Sequence, residues 1–290
     1  MMSWKGGIVD WVEGDNAYVS VVFSWDAQKA YNKAIWYKSQ GYNVLVGGSA
    51  TTINQDMFSE FDVSTNIGDV VQRHNEDATF TSRGCIRSCP FCIVPKHEGK
   101  LKESKEWPIR PIVCDNNILS SSNAHFDDVI DKLKPLKDID FNQGLDARLL
   151  TEHHAERLKE LDMKVVRLAW DSISIENKFM SAWDKLINAG IPKNKIQSYV
   201  LMGFNDTPED ALYRLQTIKD MGGLPNPMRF QPLDTKKRNS YLHPNWTEFQ
   251  LKTYMRYWSR QRFLGHIPFA DYVQGTKSEV IDENQTTMFE

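Results

Sequence analysis

From Thr79 onward the chain alternates β-branched runs with helix-period runs. That alternation restricts it to folds in which parallel strands are covered by helices. The strand candidates are TFTSRG (79–84), IRPIVC (109–114), DIDFNQG (138–144), KVVRLAWD (164–171), QSYVLMGF (197–204) and PMRFQPL (227–233). A first helix pattern carries Phe126, Val129, Ile130 and Leu133 and ends at Pro135. A second starts at a capping Thr151 and runs through Ala155, Leu158 and Leu161. The third places Phe179, Trp183, Leu186 and Ile187 on one face and stops at Gly190; the fourth opens with Thr207, Pro208 and Glu209. Six repeats of roughly 25–35 residues predict an α/β fold, a partial (βα)6 TIM-like barrel. In such sheets function collects at the carboxyl ends of the strands.

Residues 1–78 read differently. AYVSVVF (17–23), a helix over 27–39 and YNVLVGG (42–48) predict one short βαβ appendage, followed by a polar, irregular stretch from Thr51 to Ala78. Beyond residue 234, Phe249 to Phe263 reads as an amphipathic helix with Leu251, Tyr254, Met255 and Trp258 on one stripe. The last twenty residues read as a loosely ordered tail. The expected division is therefore an appendage (1–78), the partial barrel (79–233), and a C-terminal helix with its tail (234–290).

Thirty-five Lys and Arg against 38 Asp and Glu leave a net charge of −3, which excludes a chain-wide basic footprint but not a local one. No apolar run approaches the ~18 residues of a membrane helix. MMSWKGGIVDWVEGD carries acids where a signal peptide has its apolar stretch, so a cytoplasmic location is expected. Four cysteines are too few for a disulfide scaffold in 290 residues. Their placement is the informative feature. Cys85, Cys89 and Cys92 are spaced C-x3-C-x2-C just after the first strand candidate, and Cys114 stands alone.

Three thiolates this close converge on one metal centre. Four would saturate a [4Fe–4S] cluster, whereas three leave one iron open to a ligand. Zinc is the competing reading, but structural zinc takes four ligands and no second Cys pair is present. The segment RGCIRSCPFCIVPKHEG (83–99) resembles the motif of the radical S-adenosylmethionine (SAM) superfamily. Its form is closest to the methylthiotransferases and to members with cobalamin-binding domains, and the likeness extends over residues 79–233. The resemblance implies that Cys85, Cys89 and Cys92 hold a [4Fe–4S] cluster with SAM on the fourth iron. It further implies reductive cleavage of SAM to a 5′-deoxyadenosyl radical that abstracts hydrogen from a C–H bond. An electron donor such as a flavodoxin or ferredoxin is implied with it, and Phe91 would pack near the adenine.

The other SAM-site candidates follow strand ends. Where the family places a Gly-Gly-Glu-like element, this chain has Cys114-Asp115-Asn116-Asn117; Asp115 and Asn116 offer oxygens that accept ammonium N–H bonds. Gln143 and Arg148 follow the third strand, and Arg148 has the fork geometry for a carboxylate. Arg167, Ala169 and Asp171 share one strand face, and Gly203 permits close backbone approach. Cys114 reads as a buried strand residue.

Two family features are missing. The N-terminal segment resembles a fragment of a cobalamin-binding domain but lacks the Asp-x-His-x-x-Gly loop, so no cobalamin is expected. The cysteine count leaves none for a second cluster. The substrate class stays open between a small molecule, a nucleotide and a nucleic-acid base. Between Arg229 and Arg262, Lys and Arg exceed acids by eight to two, interleaved with Tyr241, Trp246, Phe249, Tyr254, Tyr257 and Trp258. That mixture suits nucleic acid, or else a solvated helix whose rings pack inward. A non-catalytic iron–sulfur protein and a zinc-binding module remain the alternatives.

Overall fold

A computed structural model of the chain describes residues 4–64 and 70–273. The architecture is mixed α/β with parallel sheets. The N-terminal sheet has the order β1 (Ile8–Glu13), β2 (Asn16–Val21), β3 (Asn43–Gly47), β4 (Asp62–Ser64). The first two strands form an antiparallel hairpin, and β2, β3 and β4 run parallel. Helix α1 (Ala27–Ser39) makes the crossover and buries Ala27, Ala30 and Ala34 against Val19, Val21 and Val46. The expected βαβ unit is thus present inside a larger sheet. The hairpin strand β1 is tied by the stacked Trp11–Tyr18 pair, with ring centroids 5.0 Å apart. The stretch read as irregular holds α2 (Ser49–Ile53), β4 and α3 (Val70–His74), each too short for a period to register.

The remaining strands pair in chain order. β5 (Ala78–Thr79) and β6 (Ser82–Arg83) replace the first expected strand, because the chain leaves the sheet between them. β6 pairs antiparallel with β7 (Lys102–Glu103), enclosing the cysteine loop and the one-turn α4 (Val94–His97). β8 (Ile112–Val113) lies between β5 and β9 (Asp140–Phe141), all parallel. The third strand breaks at Gly144 into β9 and β10 (Leu145–Asp146), and β10 begins the parallel sheet β10, β11 (Val166–Ala169), β12 (Ile196–Met202), β13 (Leu224–Arg229). A further parallel bridge between Ile139 and Met163 links the two sheets.

Helices α5 (Asn123–Leu133), α6 (Glu152–Lys159), α7 (Glu176–Asn188) and α8 (Pro208–Asp220) supply the crossovers. Their apolar stripes, among them Phe126, Leu158, Phe179 and Leu215, fill one continuous core with the strand residues Val166, Leu168 and Val200. The last strand differs most from expectation, lying three residues earlier over LPNPMR. Pro225 and Pro227 argue against a central strand, but β13 pairs on one side only among the described residues, so the missing N–H groups fall on its free edge. The C-terminal helix divides into α9 (Glu248–Trp258) and α10 (Gln261–Leu264). Leu251, Tyr254 and Trp258 of the expected stripe are buried. Of the expected twenty-residue tail, residues 271–273 are helical and 274–290 lie outside the described residues.

One buried cation ties α8 to the strand ends. Arg214 is fully buried; it donates to the carbonyls of Trp170 (2.9 Å) and Leu201 (3.0 Å) and to Asp206 Oδ2 (2.6 Å). It thereby fixes where β11 and β12 release their loops. Replacing it removes the cation beside the Asp206 carboxylate, which keeps the Gly203 and Trp246 donors on Oδ1, and takes the donated N–H from two carbonyls. Arg214→Ala is expected to lower stability by about 3–5 kcal/mol, read as a shift in the urea midpoint at unchanged slope.

Candidate active site

The cysteine loop starts from a tight neck. Gly84 has φ +79°, and a Cβ there would lie 2.3 Å from the Lys100 carbonyl oxygen, so only glycine fits. Glu98 closes the neck, accepting from the Gly84 amide (3.0 Å), Arg83 Nη2 (2.7 Å) and Asn116 Nδ2 (2.7 Å). A second anchor is the buried Asp115, whose oxygens accept from the Thr81 amide, the Thr81 hydroxyl and the Ser82 hydroxyl, each at 2.6 Å. Burial pushes the Asp115 carboxyl above its ordinary range against the lowering effect of these bonds. The loop therefore projects over the carboxyl ends of the parallel strands.

Within the loop all three thiols are free and half-buried. N–H donors reach two of the sulfurs. Asn117 Nδ2 lies 3.7 Å from Cys85 Sγ, and the Arg87 amide 3.4 Å from it. Arg148 places Nη1 and Nη2 at 3.7 and 3.6 Å from Cys89 Sγ. Burial raises the Cys92 thiol above its ordinary value; Cys89, Cys85 and Asp171 push the same way, and the Val94 backbone opposes them. Donors aimed at sulfur and a thiol that resists ionising alone both suit a cationic metal centre. Among the described residues, however, no three His, Cys, Asp or Glu side chains stand in a ready-made metal-binding arrangement.

Arg148 is held by Asp146, through Nε at 2.6 Å and Nη2 at 2.8 Å. The buried Asp146 carboxylate also accepts from Asn117 (3.3 Å) and lies 3.6 Å from Arg87 Nε. An Asp146–Arg148–Asn117 bracket thus supports the loop from β10 and from the end of β8. The buried Oδ1 of Asn117 has no hydrogen-bond partner in the structure, leaving one acceptor beside the cysteines unspent.

A cavity of about 540 Å³ opens beside Cys89. Phe91, Arg148 and Asp171 line it, together with Phe204, Asn205 and Asp206. Phe91 meets Phe204 edge-on at 5.8 Å, and Phe204 continues the aromatic wall to Phe230 at 4.8 Å. Burial pushes the Asp171 carboxyl up to about 6; Arg148 lowers it and Asp146 raises it.

The other sequence candidates are elsewhere. Asn116 and Gln143 line a separate cavity of about 470 Å³ between the two sheet systems, where Ser20, Gly48 and His74 of the N-terminal unit also face. Asp115 is buried and committed to Thr81 and Ser82, and it does not line the cavity beside Cys89. Arg167 and Ala169 share the half-buried face of β11 that alternation predicts, whereas Asp171 lies two residues past the strand's end and lines the cavity beside Cys89. The Arg167 guanidinium is nevertheless spent on Asp140, at 2.6 and 2.7 Å, and on Gln197. Gly203 has φ +80°, but its close neighbour is Leu251 of α9. Cys114 lies in a small apolar cluster with Val71, Ala78 and Ile112, and burial pushes its thiol up to about 12. Glu98, Asn117 and Asp146 were not among the sequence candidates. The one local signal was Asp146-Ala-Arg148 at a strand end, where a carboxylate two residues before an arginine can hold it.

No helix among the described residues is long and apolar enough to cross a membrane. No protein-family profile matches the chain, and no curated protein matches it in sequence. Among solved structures, one match is the radical S-adenosylmethionine methyltransferase TsrM from Kitasatospora setae, with cobalamin and a [4Fe–4S] cluster bound. The TM-score is 0.51 at 10% identity, over 75% of this chain and 62% of that one. This chain thus spans less than two thirds of its neighbour's length. Because that neighbour carries cobalamin, the expectation of none gains no support, and the four-stranded N-terminal sheet is larger than the fragment on which it was based. The fold is similar to that of a radical SAM enzyme.

Proposed function

We propose that the chain is a radical SAM-type enzyme whose Cys85, Cys89 and Cys92 hold a [4Fe–4S] cluster at the mouth of a partial (βα)6 barrel. The observation that carries this reading is the C-x3-C-x2-C loop, fixed over parallel strand ends with N–H donors on its sulfurs and a 540 Å³ cavity beside it. With SAM on its open iron, such a cluster supplies the electron for reductive cleavage and so a hydrogen-abstracting radical.

The chain's own residues then have defined tasks. Asn117 and Arg148 donate to Cys85 and Cys89 and stabilise negative charge on sulfur. Asp146 fixes the direction of Arg148. Phe91 and Phe204 offer an apolar wall to a flat ring, and Asp171 offers a carboxyl to hydroxyl donors. Residues 79–233 would form the catalytic unit, with 1–78 and 234–290 flanking it, and electrons would come from an external one-electron donor. The substrate is a molecule with an unactivated C–H bond.

Anaerobic reconstitution tests the reading. About four iron per chain, a brown colour absent in Cys85→Ala, and 5′-deoxyadenosine formed on reduction are expected. A cluster without SAM cleavage under any reductant would leave an iron–sulfur protein that is not an enzyme. Colourless protein with stoichiometric zinc would leave a zinc module.

The bracket makes its own prediction. Arg148→Met should retain the fold and lower reduction-dependent SAM cleavage about tenfold or more, with partial recovery in Arg148→Lys. Asp171 gives a pH signature in the apo protein. Its folded pKa of about 6 lies above the unfolded value, so the folded state binds the extra proton. Stability should fall as pH rises from about 4 to 6, by about 2 kcal/mol. Denaturation of Asp171→Asn across that window should lack this slope.

A further inference from the structure

A groove of about 900 Å³ runs between α9, the free edge of β13 and the N-terminal residues Phe23 and Trp25. Three exposed cations lie along its α9 side: Lys252 and Arg256 one turn apart on the helix, and Arg260 just past its end. A rise of about 6 Å separates the two helical members. Like charges one turn apart repel, so the ladder weakens the helix unless an anion lies along it. Lys252 has Glu248 at 3.6 Å. No carboxylate among the described residues lies within ion-pair distance of Arg256, Arg260 or, across the groove, Arg238.

The rings of this region sort into two sets. Trp246, Tyr254, Tyr257 and Trp258 are buried and pack into the core, so four of the six aromatics interleaved with the basic residues are not free to meet a ligand; Tyr241 and Phe249 are half-buried and do not line the groove. The available rings come from the other end of the chain. Phe23 and Trp25 stack with centroids 4.7 Å apart and planes 9° from parallel, Phe23 is 38% exposed, and Arg238 sits 5.9 Å over Trp25.

We propose that this groove is a docking surface for a single-stranded polynucleotide, with Arg238, Arg256 and Arg260 on phosphates and the Phe23–Trp25 pair receiving bases. Cations tracking a backbone beside a stacking platform are the elements by which proteins hold single strands. The contact goes beyond the iron–sulfur reading and does not depend on it, because the groove is lined by none of the residues of the cavity beside Cys89. It places the substrate, or the molecule carrying it, against the open flank of the sheet.

Labelled single-stranded RNA and DNA oligonucleotides, titrated against the full chain by fluorescence anisotropy, test this. Binding should weaken with salt at a log–log slope of about −2, as three phosphate contacts require. Arg256→Glu/Arg260→Glu should weaken it about tenfold or more. Trp25→Ala should weaken it roughly tenfold, with Trp25→Phe close to wild type and thermal midpoints confirming that each variant folds. The tighter of RNA and DNA identifies the source of the strand. No binding at low salt overturns the proposal. So does equal competition by inorganic polyphosphate or polyglutamate with Trp25→Ala unaffected, which would mark a plain anion surface. Cys85→Ala should bind oligonucleotide normally, and the double Glu variant should cleave SAM normally without oligonucleotide, so this proposal and the enzymatic one fail separately.

Discussion

The buried carboxylate of Asp115 sets the geometry on which the candidate site depends. It accepts three hydrogen bonds from Thr81 and Ser82, the residues at which the chain departs from the sheet after β5. The sequence from Thr79 to Arg83 reads as one extended strand, and these bonds mark the point where the chain departs from that reading. There the chain turns into the β6–β7 hairpin and carries the cysteine loop over the strand ends. Glu98 then joins the loop's return to its start and to Asn116. Two carboxylates thus do positional work at the loop's base and stay clear of the cysteines.

Around the sulfurs the charge arrangement is consistent in one direction. Thiols that are buried and near other thiols and acids ionise reluctantly, as Cys92 does. Asn117 and Arg148 bring N–H donors to Cys85 and Cys89 from outside the loop, and Asp146 keeps Arg148 from swinging to solvent. A thiol in the setting of Cys92 stays protonated until a metal ion or another electrophile displaces its proton. The residue types and the bracket ask for the same thing.

What was legible in the sequence is what depends on local period or local spacing. The helices over Phe126–Leu133 and Phe179–Ile187 follow from apolar positions three and four apart, and the cysteine loop from its spacing. Strand β13 was displaced because Pro225 and Pro227 mask an edge strand, and α9 was overextended because nothing in its stripe marks the break at Ser259 and Arg260. The partners of the loop were not legible for a different reason. Asn117 and Asp146 are 29 residues apart, and Arg148 and Cys89 are 59 apart. Their meeting depends on which strand ends lie side by side. Arg167 shows the converse: alternation gave its face correctly, yet Asp140 on the neighbouring strand took its charge.

The two prolines of β13 also limit how the protein can associate with copies of itself. An open sheet edge is a template on which another extended chain can add as a further strand. In β13 the even positions donate toward β12, as the neighbouring Phe230 amide does to Met202, so the outward donors would be those of residues 225, 227 and 229. Proline removes the first two. β-Augmentation and edge-to-edge aggregation along this flank are therefore disfavoured by the backbone itself. An open sheet can keep its side accessible to solvent without becoming adhesive.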